Sequence, residues 1–377
     1  MRILLLTTLV PTDPPSGGTL ATLELSRRLE TYGEVQRWAV WGLGEGTAQH
    51  GMWQGARAIT LAQLRRRGLA RGVARGLPLT VARFHRREVA TALSRLGRFD
   101  LFFADHLAMW QYSSLVDAER RVIYSHNVES EIYERAASRD PSVVARTIWR
   151  REARVMARYE GAALRAAQAV ICPGIRDQAS LATRYGIQVE AWYPPVGEVE
   201  LVPARRSQGQ VVASVGTMEW LPNRWGMDWF VHEVWPLIRQ AVPQAQLRLG
   251  GRGSERLPYS NCPGVECFGP VWDLSAFFAD VDVVVAPIRG GAGIKIKVMD
   301  AAARGLPAVT TSIGIEGFGA HVPRGIAVAD QAHAFASSVL GFLRGRLDLP
   351  VEENVLWYQH LVRSGGRAIE TAVLGYR

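Results

Sequence analysis

The segment VDVVVAPIRGGAGIKIKVMDAAARGLPAVTT, residues 281–311, predicts a strand, a glycine-rich loop, a helix and a second strand in that order. The first apolar run ends at Ala286, and the second covers residues 308–311. A helix is predicted from about Lys297 to Arg304, because the following Gly305-Leu306-Pro307 is typical of a helix end. Two strands joined by a helix are the βαβ unit of a parallel α/β sheet.

The same alternation extends along the rest of the chain. Short apolar runs predict strands at residues 2–8, 35–41, 101–104, 121–124, 169–172, 211–215, 246–249 and 265–268. Helical periodicity predicts helices over residues 20–29, over 130–167 with a break near Asp140-Pro141, over 224–241 and near 351–376. Glycine loops after the strands are typical of ligand sites in such sheets, since ligands bind beyond the carboxyl ends of the strands.

The alternation stops between Tyr193 and Gly209, a stretch rich in proline, glycine and polar residues, and then restarts. We therefore expect two Rossmann-like, doubly wound domains that face a cleft, residues 1–197 and 198–350. A helical segment over 351–377 is expected to cross back to the first domain.

Composition fits a folded α/β protein. Of the 377 residues 48% are apolar and 21% are charged, which excludes disordered and low-complexity classes. The three cysteines are too few and too unevenly spaced for a disulfide framework or a zinc site. No apolar run approaches the roughly 20 residues that span a bilayer. We expect a soluble, cytoplasmic protein, with contact to the inner face of the membrane as a further expectation.

The positive charge is concentrated in one segment. Residues 57–98 hold eleven arginines and a single acid, Glu88, a balance of +10 in a chain whose net charge is +9. These arginines are either the solvated faces of ordinary helices or a surface for an anionic membrane or an acidic acceptor. Nucleic acid is not expected as a partner, because no stacking aromatics alternate with the arginines.

The two lysines of the chain lie together. Of 44 basic residues 42 are arginine, and both lysines fall in the GIKIK stretch, residues 293–297. Lysine is a compact point charge, so a tight phosphate site could select it over the wider arginine fork. Chance codon usage is the alternative.

The loop that contains Lys295 and Lys297 combines three features of a diphosphate site. Gly290, Gly291 and Gly293 let the backbone turn tightly and present its N–H groups. A helix N-terminus follows, where an anion is favoured and two cations alone are not. Asp300 lies three residues after Lys297 and could accept hydrogen bonds from a ribose or sugar hydroxyl. The alternative is a Lys297–Asp300 surface pair on a flexible loop.

Two common phosphate motifs are excluded. The loop lacks the spacer and the Gly-Lys-Ser/Thr of a Walker motif, and the first loop, Ser16-Gly17-Gly18-Thr19, lacks the three-glycine spacing of a dinucleotide fingerprint. From the residues alone, the prediction is therefore nucleotide or phosphate binding.

Several blocks together resemble the retaining glycosyltransferases of family 4, which have the GT-B fold. The similarity runs over most of the chain, and the order and spacing of the blocks are specific. They are PPSGG at 14–18, YSHNVE at 124–129, VGTMEWLPN at 215–223, GPV at 269–271 and the run from Gly291 to Gly317.

The resemblance implies a nucleotide-sugar donor held mainly by the C-terminal domain and an acceptor held by the N-terminal domain. His126 matches the family histidine near the reacting sugar, and Lys297 with Lys295 would neutralise the diphosphate. Asp300 stands where the family has a glutamate that contacts the ribose. The donor-binding residues are then Gly17, Gly18, Gly216, Thr217, Gly291, Gly293, Lys295, Lys297, Asp300 and Glu316.

Three of these positions also have a structural interpretation. His126 follows a buried strand and could be a satisfied core histidine, and Glu316 could be a helix-capping or surface acid. Asn223, next to the Gly216 turn, is expected to cap the helix that follows it. The tryptophans of this helix are expected in the core or at an interface rather than as a sugar platform: Trp220, Trp225 and Trp229.

The resemblance departs from the family at one position. Members commonly carry two glutamates with seven residues between them, and here Ala292 stands in place of the first and Asp300 in place of the second. No metal-binding acidic motif and no close carboxylate pair of a hydrolase is recognisable. We predict hexose transfer with retention and without a metal or other cofactor, in cell-envelope or polysaccharide synthesis. The alternatives are a nucleotide-sugar epimerase on the same fold and a non-catalytic nucleotide-sugar-binding subunit.

Overall fold

The computed structural model describes residues 1–8, 10–11, 17–40, 57–58, 74–139, 141–197, 199–202, 210–259, 261–291, 293–345 and 351–375. These residues form two compact units. The first comprises residues 1–194 and 364–377, and the second comprises residues 195–363.

The first unit is built on a seven-stranded sheet whose pairings are all parallel, in the order β3-β2-β1-β4-β5-β6-β7. Its strands are β1 (Arg2–Thr7), β2 (Glu34–Ala39), β3 (Arg57–Ala58), β4 (Phe99–Asp105), β5 (Ala118–Tyr124), β6 (Ala169–Cys172) and β7 (Glu190–Ala191). Its helices are α1 (Gly17–Glu30), α2 (Leu79–Ala82), α3 (Arg87–Leu93), a 3-10 helix (Leu107–Leu115), α4 (Glu129–Arg139), α5 (Val143–Ala166) and α6 (Ile175–Tyr185).

The second unit is built on a six-stranded parallel sheet in the order β10-β9-β8-β11-β12-β13. Its strands are β8 (Val211–Val215), β9 (Gln246–Gly250), β10 (Val265–Gly269), β11 (Val283–Ala286), β12 (Ala308–Thr310) and β13 (Ile326–Val328). Its helices are α7 (Leu221–Trp229), a π-helical turn (Phe230–Val234), α8 (Trp235–Ala241), a 3-10 turn (Ser254–Arg256), α9 (Leu274–Phe278), α10 (Ile296–Ala303), α11 (Ser312–Ile315) and α12 (Ala332–Leu343). The last helix, α13 (Val351–Leu374), belongs to the second unit up to residue 363 and to the first from residue 364.

Both sheets have apolar residues on both faces, because helices cover each side of a parallel sheet. In the first, Ile3 and Leu5 of β1 are fully buried and pair with Leu101 and Phe103 of β4. In the second, Val283 of β11 is buried opposite Val212 of β8. The predicted α/β class is thus confirmed for both halves of the chain.

Each sheet reverses its strand order at one point, between β1 and β4 in the first unit and between β8 and β11 in the second. In doubly wound sheets, the ligand-binding crevice lies at the carboxyl ends of the strands beside this point. Strand topology therefore directs attention to the residues that follow β1, β4, β8 and β11.

The prediction of a single helix over 224–241 was wrong. The segment begins at Leu221 and is interrupted by the π-helical turn 230–234, after which α8 starts with Pro236 in its first turn. Proline has no N–H to donate to the preceding turn, so the regular α-helical ladder cannot continue through it. Four of the described α-helices outside residues 57–98 lacked a predicted counterpart, namely α6, α9, α11 and α12.

Candidate functional site

The site of the second unit is formed by the turns that follow β8 and β11. Gly216 and Thr217 come directly after β8, and the loop 287–295 leads from β11 to the start of α10. The side chain of Lys297, in the first turn of α10, lies against the Gly216 turn. The structure therefore brings together four of the predicted donor residues, Gly216, Thr217, Lys295 and Lys297.

Asn223 joins the two sides of this site. Its Oδ1 accepts a hydrogen bond from Lys297 Nζ at 2.9 Å, and its Nδ2 donates to the carbonyl oxygen of Thr217 at 2.9 Å. A Cβ at Gly216 would lie 3.0 Å from both Lys297 Nζ and Asn223 Nδ2. An alanine at 216 would therefore have to displace the ammonium group and the amide by a few tenths of an ångström.

The charge of Lys297 is held in an unfavourable environment. Burial, and then the neighbouring charge of Lys295, lower the pKa of Lys297 to about 8. Lys295 is itself only 5% exposed, precedes α10 as its N-cap, and donates from Nζ to the carbonyl oxygen of Gly293. Two partly desolvated cations at a helix N-terminus repel each other and oppose the helix dipole, so an anion bound between them would be strongly stabilised.

Two of the three predicted loop glycines, Gly291 and Gly293, have left-handed backbone conformations. Gly291 has a φ of +100°, and a Cβ there would meet the ring of Trp220 at 3.1 Å. Gly293 has a φ of +72°. Such φ angles disfavour residues with a side chain, so the loop shape depends on glycine at both positions. Ala292, the departure from the family pattern, lies outside the described residues.

Asp300 has a partner that the sequence did not indicate. Its Oδ1 accepts from Arg304 Nε at 3.2 Å, four residues later on α10, and both side chains are buried. Burial raises the pKa of Asp300 while the Arg304 guanidinium opposes this shift. The alternative Lys297–Asp300 surface pair is therefore wrong, because Lys297 bonds to Asn223 instead.

Glu316 follows α11, in the loop after β12. Beside it, Gly317 has a φ of +98°, and a Cβ there would lie 3.0 Å from Ile294 Cγ2. The Glu316-Gly317 turn thus lies against the loop that contains Lys295. The Thr311 hydroxyl caps the N-terminus of α11, and Glu316 occupies the C-cap position at its other end.

Two expectations about α7 need correction. Asn223 is not the cap, since Trp220 occupies the N-cap position and Asn223 is buried in the first turn, where its amide bridges Thr217 and Lys297. Trp229 lies in the core as expected, whereas Trp220 is 45% exposed and Trp225 is 57% exposed.

The first unit has a cluster of titratable side chains where its strand order reverses, between β1 and β4. Asp105 ends β4 and is completely buried, and its Oδ2 accepts from the hydroxyls of Thr7 on β1 and Thr22 on α1, each at 2.6 Å. Its Oδ1 lies 2.5 Å from Nε2 of His126, the predicted catalytic histidine. The carboxylate therefore fixes the ring of His126 through one oxygen while two threonines hold the other.

His106 completes this cluster. Its ring centroid lies 3.7 Å from that of His126, and its backbone has a φ of +82°, a conformation that costs energy for a residue with a side chain. Burial, and then the charge of His126, lower the pKa of His106 to about 3, so His106 is neutral near pH 7. Burial opposes ionisation of Asp105, but His126 and His106 hold the pKa of that carboxyl well below its usual range.

The same three side chains offer a set of metal ligands. The ligand atoms of Asp105, His106 and His126 all lie within 4.8 Å of one another. Both oxygens of Asp105 take part in hydrogen bonds within the protein. Asp105 and His126 therefore form a hydrogen-bonded pair. Metal independence stays a prediction.

Gly17 and Gly18 are the first two residues of α1, the helix that also carries Thr22. Gly18 is exposed, and a Cβ there would meet no heavy atom within 4 Å. Residues 12–16 of the predicted N-terminal loop lie outside the described residues. The two glycines are thus placed at a helix N-terminus beside the Asp105 cluster.

The structure describes part of the basic segment 57–98, namely residues 57–58 and 74–98. Val81, Phe84, Val89 and Leu93 are buried in the core, while Arg87 is exposed. The described helices of this segment thus have ordinary amphipathic faces, whereas residues 59–73 lie outside the described residues. Among the helices that the structure describes, none is long and apolar enough to cross a membrane.

Sequence and structure comparisons agree with this geometry. Residues 209–344, which lie within the second unit, match the family model described as Glycosyl transferases group 1. A 44.6 kDa protein from the cps region of Klebsiella pneumoniae is 26% identical over 141 residues. That match covers 35% of this chain and spans only 36% of the relative's length.

Solved structures resemble the whole chain. Sucrose-phosphate synthase from Thermosynechococcus elongatus is 17% identical, with a TM-score of 0.65 over 99% of this chain and 97% of that one. Anabaena HepE, solved in complex with UDP-glucose, is 14% identical, with a TM-score of 0.64 over 98% of this chain and 99% of that one. The chain has the GT-B fold.

Proposed function

We propose that the protein is a retaining glycosyltransferase of family 4 that transfers a hexose from a nucleoside diphosphate sugar to an acceptor hydroxyl. The observation that carries the proposal is the pair of partly desolvated lysines at the start of α10, one of them held against the Gly216 turn by Asn223. The group 1 domain over residues 209–344 supports it.

The second unit would hold the donor. Lys297 and Lys295 would contact the diphosphate, with backbone N–H groups of the Gly216 turn and of the glycine loop around it. Glu316 lies in the turn against this loop and would contact the donor sugar, and Asp300 would contact the ribose. HepE, of the same fold, was solved with UDP-glucose, which supports a nucleotide-sugar as the donor class.

The positive charges of the site would stabilise the leaving diphosphate during the reaction. As the bond between the sugar C1 and the diphosphate oxygen breaks, its electron pair moves onto that oxygen, and the charge that develops there is stabilised by the two lysines and the helix N-terminus. The acceptor hydroxyl oxygen forms the new bond to C1, and its proton passes to the diphosphate oxygen that leaves. Because these cations are present before the reaction begins, no metal is needed for this stabilisation.

The first unit would hold the acceptor and position His126 next to the reacting sugar. Asp105 would act as a positioning residue, since it fixes the orientation of the His126 ring through a 2.5 Å contact. A role in cell-envelope or polysaccharide synthesis is supported by the relative encoded in a cps region. An acidic acceptor, or an anionic membrane surface, contacting residues 57–98 stays a prediction.

Incubation with UDP-, GDP-, ADP- and dTDP-sugars and a panel of sugar acceptors tests the proposal. We expect a new glycoside whose anomeric proton coupling matches that of the donor sugar, and loss of product with Lys297→Met. Isomerised donor without acceptor would identify an epimerase. Nucleotide-sugar binding without turnover for any acceptor would identify a binding subunit, and an inverted product would contradict retention.

A further inference from the structure

The helical hairpin of α4 and α5 carries a feature that neither site uses. Three apolar side chains at the start of α5 are strongly exposed: Val143 at 67%, Val144 at 71% and Ile148 at 47%. We define these three residues as the apolar tip. Aliphatic side chains that are exposed together at one end of a helix cost free energy in water. Moving the tip into an apolar environment would therefore be favourable.

Arginines follow the tip on the same helix. Counted from Val144, positions 148, 151 and 158 recur at helical spacing and therefore share one face. Arg151, Arg154 and Arg158 are all exposed. At 1.5 Å per residue, Arg151 and Arg154 lie about 5 and 9 Å behind Ile148 along the axis. The helix is thus apolar at its end and cationic one to two turns behind.

The surroundings of the tip are also basic. Residues 135–158 contain seven arginines and two acids, Asp140 and Glu152. Glu152 is buried, where its Oε2 accepts from the backbone N–H of Leu79 and its Oε1 accepts from the guanidinium of Arg151. Arg151 and Glu152 therefore balance each other, and the remaining positive charge comes from the other arginines. The exposed side of the hairpin therefore presents positive charge next to apolar residues.

A groove between the two helices lies among these arginines. Its volume is about 370 Å3, and its lining combines Ser138, Arg150, Arg154 and three alanines with one carboxylate, Glu134. That carboxylate is paired with Arg184 of α6 at 2.7 Å, so its charge is already balanced. Small side chains leave the space open, while two guanidinium groups and a hydroxyl offer donors to an anion. An anionic headgroup fits this chemistry.

We propose that the tip of the α4–α5 hairpin docks on an anionic lipid bilayer, with Val143, Val144 and Ile148 inserted and the arginines among the headgroups. The dimensions agree, since interfacial helices bury their apolar residues about 5–10 Å into the boundary between headgroups and acyl chains. Charge complementarity selects an anionic bilayer over a neutral one. The surface is distinct from residues 57–98, and the proposal does not depend on the donor site.

Vesicle flotation tests this surface, with vesicles of phosphatidylcholine alone and of phosphatidylcholine mixed equally with phosphatidylglycerol. We expect the full chain to bind the mixed vesicles and not the neutral ones. Val144→Asp/Ile148→Asp should abolish binding. Arg154→Gln/Arg158→Gln should weaken it by about fivefold for each arginine removed, because each basic residue near an anionic surface contributes about 1 kcal/mol.

Two matched controls make the test specific. Leu356→Asp/Leu374→Asp places the same two charges on another helix, at leucines that are 62% and 46% exposed, and should bind as the wild type does. Arg87→Gln/Arg95→Gln removes the same charge from exposed positions of residues 57–98 and should lower binding much less than the hairpin pair. Unchanged thermal melting would show that each variant is folded.

Several results would overturn the proposal. These are no binding to either vesicle, equal binding to both, wild-type binding by Val144→Asp/Ile148→Asp, or a larger loss from the Arg87/Arg95 pair than from the Arg154/Arg158 pair. Sedimentation velocity provides a further test. Self-association that disappears in Val144→Asp/Ile148→Asp, without vesicle binding, would identify the tip as an interface between copies of this chain.

Discussion

Lys297 Nζ donates a hydrogen bond to Asn223 Oδ1 at 2.9 Å, and this contact links the start of α10 to the first turn of α7. The Nδ2 atom of Asn223 donates a hydrogen bond to the Thr217 carbonyl oxygen, which fixes the orientation of the amide. An ammonium group oriented in this way keeps donors available for an anion. The site is thus organised before the donor binds, as electrostatic stabilisation of a leaving group requires.

Substitutions at Asn223 test this link. Asn223→Ala removes the acceptor that orients Lys297, and we expect nucleoside diphosphate affinity to fall by roughly fivefold to tenfold. Asn223→Asp places a negative charge beside the ammonium group, so it should weaken affinity more than alanine does because the aspartate competes with the diphosphate. Calorimetric titration with UDP, GDP, ADP and dTDP measures both. Stronger binding by the aspartate variant than by the alanine variant would contradict the assignment.

Diphosphate binding should depend on pH through Lys297. Its pKa is about 8 in the folded protein, so the ammonium group is charged below pH 8 and neutral above it. The dissociation constant should be flat near pH 7 and rise by up to about tenfold per pH unit above pH 8. Titrations across this range in Lys297→Met provide the control, since the rise should be absent there. A rise that persists in the variant would assign the titration to another group.

The same pKa predicts an opposite effect on stability. Because the folded pKa of Lys297 lies below its unfolded value of 10.5, the unfolded chain binds more protons between pH 8 and 10.5. The contribution of this residue to stability therefore rises as the pH rises through that window. Denaturant unfolding of the wild type and Lys297→Met should show a difference that depends on pH there. A constant difference would be inconsistent with a lowered pKa.

Gly216→Ala tests the close approach at the β8 turn. The added Cβ would lie 3.0 Å from Lys297 Nζ and must displace it, so we expect donor affinity to fall at least as far as in Asn223→Ala. Gly366→Ala is the matched control, because a Cβ at that position of α13 meets no heavy atom within 4 Å. That variant should bind the nucleotide normally and gain up to about 1 kcal/mol of stability, since alanine favours helix over glycine. Wild-type affinity in Gly216→Ala would show that Lys297 is not positioned against the turn.

The contribution of the Asp105 cluster to the stability of the fold should decrease in acid. The pKa of His106 is about 3 in the folded state against 6.5 for a free histidine, so the folded state loses stability as the pH falls below 6.5. Asp105 has a lowered pKa and stabilises the fold above about pH 4, and this contribution is lost at lower pH. In His106→Asn, the unfolding free energy should change less between pH 6.5 and 4.5. An unchanged slope would contradict the burial of a neutral His106.

Asp105→Asn should slow transfer while leaving donor affinity unchanged, because it alters the partner of His126 and not the lysines. Asp100→Asn is the control at the other end of β4, where the carboxylate accepts from the backbone N–H of Arg2. Steady-state kinetics should show a fall in kcat for the first variant alone. Equal effects of both variants would indicate general destabilisation.

The absence of a metal requirement is tested by chelation. If the lysines and the helix N-terminus provide the positive charge, EDTA treatment should leave kcat unchanged, and Asp105→Asn should not alter metal content measured by atomic absorption. A loss of activity in EDTA that zinc or magnesium restores would show that the cluster of Asp105, His106 and His126 holds a functional ion.

Several features were accessible from sequence because they are local. Strand 169–172 is uniformly apolar and strand 211–215 is apolar except for Ser214. The two lysines mark the start of α10 by their rarity alone. Partners brought together by topology were not accessible. Asp105 lies 83 residues from Thr22, and Asn223 lies 74 residues from Lys297. One available signal was missed, namely that Asp105-His106 follows an apolar strand just as Ser125-His126 follows the next.

The most direct test of the account is calorimetric titration of UDP, GDP, ADP and dTDP into the wild type and Lys297→Met near pH 7, with Arg324→Met as a surface-charge control. We predict that one nucleotide binds the wild type and the control equally. It should bind Lys297→Met about 10- to 150-fold more weakly, as expected for the loss of a charged hydrogen bond worth about 1.5–3 kcal/mol. Equal affinity in all three proteins, or no binding of any nucleotide, would contradict a donor site at Lys297.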